Sequence, residues 1–82
     1  MTRDEIRTAV IQALSRIAPE FDPRNLQPDA VLRQELDLDS MDFLNFVIAL
    51  HGSLGVDVPE SDYAKLGTIE GAVQYLQGKL NP

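Results

Sequence analysis

Between Thr2 and Ile17 the apolar residues Ile6, Val10, Ala13, Leu14 and Ile17 recur at helical spacing, with charged residues set between them. This is the stripe of an amphipathic helix with one face on a core. Thr2 and Glu5 have the spacing of a capping box, in which each side chain satisfies a backbone N–H at the helix start. Pro19 stops the helix, because proline has no N–H and its ring clashes with the preceding turn. Over residues 18–39 the period disappears. Pro19, Pro23 and Pro28, with Asp22, Asn25 and Asp29, read as turn formers. A connection of about 20 residues is long for a compact domain, so it is either functional or packed by its own side chains. Phe21, Leu26, Val31, Leu32, Leu36 and Leu38 offer that packing, with a short helical turn around residues 31–34.

From Asp39 to about Ser53 the pattern predicts a second helix, capped by Asp39 and with Asp42 at the positive end of the helix dipole. Gly52 and Gly55 are two possible ends. Met41, Phe43, Leu44, Phe46, Val47, Ile48, Ala49 and Leu50 leave this helix little polar face. Such a girdle is either buried on most sides or exposed to a partner. Phe46, Val47, Leu50 and Leu54 suffice to face a bundle. Met41, Leu44 and Ile48 follow Ser40 at i+1, i+4 and i+8, and are expected to form an outward apolar patch rimmed by Asp39 and Asp42. The competing reading puts all three in the core. Residues 56–59 form an extended link, and Glu60 to Leu66 a brief helix that Gly67 ends. Thr68 caps a last helix with the stripe Ile69, Val73, Leu76 and Leu80, flanked by Tyr75. The whole reads as one all-α domain over residues 1–82, with three main helices and a short one.

Composition narrows the function. A chain of 82 residues buries only ~60% of its unfolded surface, so a large internal active-site cavity is not expected. No run of 18 apolar residues suggests a membrane span. The opening residues do not resemble a signal peptide, and the expected compartment is the cytoplasm. There is no cysteine, which excludes disulfides and thiolate metal sites, so any thiol has to come from an added group. His51 is the single histidine; it argues against a His-based zinc site or a Ser-His-Asp triad and reads as a polar residue near a helix end. The net charge of −6 is unevenly placed. Residues 1–34 carry five acids and five bases, whereas residues 35–82 carry eight acids against Lys65 and Lys79. From Glu35 to Asp62 there are seven acids and no Lys or Arg. That field repels nucleic acid and anionic membranes and steers in a basic protein partner, although acidic loops also simply keep a small protein in solution.

The segment Glu35-Leu36-Asp37-Leu38-Asp39-Ser40-Met41-Asp42 holds the candidate chemistry. Ser40 falls in the first turn of a helix after a long loop, where its hydroxyl is exposed and helix N–H groups favour a phosphate. Asp39 and Asp42 oppose a free anion there, a repulsion that a covalently attached phosphodiester tolerates better. A serine after aspartate at a helix start is, however, most often only part of a cap. A calcium loop starting at Asp37 fails, since its sixth and twelfth positions need Gly and Glu and hold Asp42 and Ile48. No metal site is expected.

Asp39-Ser40-Met41, preceded by Leu36 and followed by an apolar helix, resembles the Asp-Ser-Leu signature of acyl carrier proteins. Phe46-Val47-Ile48-Ala49-Leu50, Val58-Pro59, Lys65-Leu66 and Thr68-Ile69 fall without gaps where that family has similar residues. The resemblance implies a four-helix bundle with a long first loop and a short third helix. It implies a 4'-phosphopantetheine arm on Ser40, placed there from coenzyme A by a phosphopantetheinyl transferase, and a non-catalytic carrier of acyl groups as thioesters; a monomer is expected. Its partners would be acyl-loading and acyl-processing enzymes with basic docking patches, meeting Asp39, Met41, Asp42, Leu44 and Ile48. An acyl chain would fold back near Phe43, Val47, Leu50, Leu66 and Ala72. Fatty-acid, polyketide and specialised acyl pathways all fit, as does an aminoacyl or peptidyl carrier of the same fold. The rival from another class is an unmodified helical adaptor. The chain departs from the family pattern at Asp37, where glycine is frequent, at Asn45 and His51-Gly52-Ser53, where acids are frequent, and at Phe43, where a small polar residue is common.

Overall fold

The computed structural model describes residues 1–81, and among them every regular element is helical. Helix α1 spans Arg3–Ile17, α2 is the short Leu32–Glu35, α3 spans Ser40–Leu54 and α4 spans Ile69–Leu80. A turn of 3-10 helix lies at Pro23–Asn25 and a longer 3-10 segment at Glu60–Leu66. The three long helices, the turn near residue 31 and the element over 60–66 thus stand where the sequence puts them. The last of these is 3-10 rather than α.

Local chemistry sets each boundary. The Thr2–Glu5 box caps α1: the Glu5 amide donates to Thr2 Oγ1 at 3.2 Å and the Thr2 amide to Glu5 Oε1 at 2.9 Å. Gly55, not Gly52, ends α3. Its φ of 66° lies in the left-handed region, which costs glycine nothing, and its amide donates to the His51 carbonyl at 2.8 Å. Thr68 caps α4 by accepting the Gly71 amide at 2.9 Å.

One apolar core joins the helices. α1 contributes Ile6, Val10, Ala13 and Leu14, α3 contributes Phe43, Phe46, Val47 and Leu50, and α4 contributes Ile69, Ala72, Val73 and Leu76. α1 packs on both α3 and α4, and the 3-10 segment packs on α4. The long loop is held by its own side chains, as its length requires. Leu32 and Leu38 are buried, and Phe21, Leu26 and Leu36 pack partly against the core. Two backbone bonds tie the loop to the far side of the bundle: Leu32 N–H to the Gly67 carbonyl at 2.8 Å and Glu70 N–H to the Pro28 carbonyl at 3.0 Å. Val31 is the exception among the expected packing residues. It stands at the N-cap position of α2, makes no side-chain cap bond there, and is 46% exposed.

A polar contact secures the 3-10 segment. The Tyr75 hydroxyl donates to Asp62 Oδ2 at 2.7 Å, and Lys65 lies 3.5 Å from the same carboxylate. Partial burial and the bond to Asp62 push the Tyr75 phenol up to about 12, while the bond from Tyr75 holds the Asp62 carboxyl below its ordinary value. A raised tyrosine pKa means that the folded state holds the phenolic proton more tightly. This stabilisation is fully present below the unfolded value near 10 and is lost as pH rises toward 12. The Asp62 contribution runs the other way, being present above the unfolded carboxyl pKa and lost as pH falls through the lowered one. Tyr75→Phe is therefore expected to flatten the fall in melting temperature at both extremes relative to wild type. Parallel wild-type and variant profiles would show that the pair does not stabilise the fold.

Candidate functional site

Ser40 is the first residue of α3, and its side chain is exposed. What places it there is the reciprocal cap beneath it. The Asp42 amide donates to Asp39 Oδ1 at 2.8 Å, and the Asp39 amide donates to Asp42 Oδ2 at 3.2 Å. Each of the two flanking carboxylates thus commits an oxygen to the helix start. The turn that leads in bends at Asp37, whose φ of 53° lies in the left-handed region. Aspartate tolerates this better than most residues because its short side chain bonds locally, and glycine would adopt it freely.

Beside Ser40 stands a cation that no motif of the sequence marks. Arg33, on α2, directs Nη2 to within 3.4 Å of Ser40 Oγ and Nε to within 3.5 Å of the Leu38 carbonyl, and its guanidinium lies 5.9 Å from the centre of the Phe43 ring. Arg33 belongs by sequence to the charge-balanced first part of the chain. The loop folds it onto the start of the acidic part, and no local period reports such a return.

Arg33 and Ser40 border a cleft of about 610 Å³, also lined by Val31, Phe43, Leu44 and Tyr63. Phe43 forms its apolar floor. The ring is buried, packs edge-on against Phe46 at 5.8 Å and leans toward Tyr63 at 6.3 Å. Of the residues expected to surround an acyl chain, only Phe43 lines this cleft. Val47, Leu50, Leu66 and Ala72 sit behind it in the core, with Leu50, Leu66 and Ala72 fully buried. A chain reaching them would have to part side chains already in contact.

On the outer side of α3, Met41, Leu44 and Ile48 are 65%, 37% and 57% exposed. They form the outward apolar strip that the spacing predicts, and the bundle face belongs to Phe43, Phe46, Val47 and Leu50. His51 lies in the last turn of the same helix, with Nδ1 3.2 Å from the Val56 carbonyl and 3.1 Å from Asp57 Oδ1. Among the described residues no three His, Asp or Glu side chains gather closely enough to hold a metal ion, and no helix is long and apolar enough to cross a membrane.

The family model described as the phosphopantetheine attachment site matches residues 4–76. The chain belongs to the acyl carrier protein family. Acyl carrier proteins from several organisms are similar to it along most of its length. That of Lactobacillus johnsonii is 31% identical over 81 residues, covering 99% of this chain and all of its own. That of Thermosynechococcus vestitus is 29% identical over 77 residues, covering 94% of this chain and 89% of its own. The mitochondrial acyl carrier protein of Neurospora crassa is 28% identical over 76 residues, and this chain, matched over 93% of its length, spans only 57% of that relative. The prosthetic group of such a carrier is 4'-phosphopantetheine. The residues present fit it: an exposed hydroxyl at a helix start, a cation at that hydroxyl, and an adjoining cleft with an aromatic floor.

Proposed function

We propose that Ser40 is the attachment point of the arm and that the chain is a non-catalytic carrier presenting acyl groups to partner enzymes of an acyl-building pathway. The observation that carries this reading is the exposed Ser40 hydroxyl on the first residue of a doubly capped helix, at the mouth of the cleft. When bound, the group supplies a terminal thiol that holds acyl cargo as a thioester. The protein's own residues do the rest. The Asp39–Asp42 cap fixes the helical turn on which Ser40 stands, and Phe43 with Tyr63 offers apolar surface to whatever lies along the cleft. Ser15, by contrast, donates its hydroxyl back to the Ile11 carbonyl within α1 at 3.0 Å. Wild-type protein treated with coenzyme A, magnesium and a phosphopantetheinyl transferase is expected to gain the mass of one arm, and Ser40→Ala none. A variant that still gains it would move the site.

The strip of Met41, Leu44 and Ile48, rimmed by Asp39 and Asp42, is the proposed docking surface for basic partner enzymes, the transferase included. Rim charges act on encounter more than on residence, and salt screens them. Asp42→Lys is therefore expected to slow association with a partner enzyme several-fold at low salt and to approach wild type at high salt. Surface plasmon resonance separates the two rates. A change confined to dissociation would contradict the rim assignment.

A further inference from the structure

Taking Ser40 as the attachment point, we propose that Arg33 is a positioning residue that holds the phosphodiester of the arm and so lays the arm's root over the cleft rather than along the Met41 strip. A phosphoryl group on Ser40 is bonded directly to Oγ, the atom that Arg33 Nη2 approaches to 3.4 Å. Its non-bridging oxygens are one bond further on, within reach of the same guanidinium.

Three observations favour this role over a purely structural one. The two hydrogen bonds Arg33 makes, at 3.4 and 3.5 Å, lie at the long limit for such contacts, so they leave the fork's donors poorly used. Among the described residues no carboxylate pairs with Arg33, although the chain carries six more acids than bases and Asp39 and Asp42 flank Ser40. Those two carboxylates repel a phosphodiester at Ser40, and Arg33 is the cation at the spot where that repulsion arises. A guanidinium suits the task because its planar fork matches two phosphate oxygens at once and stacks on an aromatic face, here the Phe43 ring at 5.9 Å. Arg33 and Phe43 both line the cleft, so the side on which the phosphodiester is held is the cleft side.

The test uses the full chain, with and without the arm, and intact mass to confirm loading. In the wild type the Arg33 side-chain Nε–H resonance is expected to shift and its exchange with water to slow on loading. The Arg24 resonance, already tied to Asp22 at 3.2 Å, should stay in place. The phosphorus resonance of the loaded chain should differ between wild type and Arg33→Gln. A wild-type chain that gains no arm overturns the Ser40 reading and this inference with it. A loaded chain whose Arg33 resonance stays unmoved, with the same phosphorus resonance in wild type and variant, overturns the role of Arg33 alone.

Discussion

Phe46→Ala is expected to lower the unfolding free energy by about 3–5 kcal/mol, whereas Ile48→Ala, two residues on, should change it by less than ~0.5 kcal/mol. The contrast follows from the two faces of one apolar helix. Phe46 is fully buried and lies edge-on against Phe43, so removing its ring takes away transfer energy and leaves a cavity between α3 and its neighbours. Ile48 is 57% exposed on the other side. Against a total of roughly 5–15 kcal/mol for a whole protein, the first change removes a large share of the stability and the second almost none. Urea unfolding of both variants measures this. Comparable losses would place Ile48 in the core and dissolve the docking strip.

Leu32→Ala is the second large effect, a loss of about 2–5 kcal/mol. Leu32 is the fully buried anchor of the long loop, and its N–H reaches across to the Gly67 carbonyl. It adjoins Val31 and Arg33, two walls of the cleft. Losing the anchor should therefore loosen the site as well as the fold, and hydrogen exchange at the Leu32 and Glu70 amides should accelerate beyond what the lost global stability explains. A loss below ~1 kcal/mol would mean that the loop is held elsewhere.

The helices were legible because their signals are local. Thr2 with Glu5, Asp39 with Asp42, and Thr68 each mark a start that the structure keeps, and the stripes of α1 and α4 fall on the core. The division of α3 into a bundle face and an outer strip was also readable, since a small bundle has room for only one of the two. Gly55 could not be chosen over Gly52 from spacing alone, because the choice rests on which residue reaches the left-handed conformation. Arg33 was invisible for a different reason. Its place beside Ser40 depends on how the loop returns from α2 to α3, held by Leu32 and Leu38 in the core, and no period along the chain encodes that path. The Tyr75–Asp62 bond has the same origin, joining residues of two elements that meet only in the folded chain.

The claim that Ser40 carries the arm is met most directly by fragment-ion mapping of wild-type protein loaded with a phosphopantetheinyl transferase. The chain has four serines, Ser15, Ser40, Ser53 and Ser61, and fragments that break on either side of residue 40 separate it from the other three. The expected result is one arm per chain, with its mass and its elimination product confined to fragments containing Ser40. An arm found on Ser15, Ser53 or Ser61, or a chain that takes up none, would contradict it.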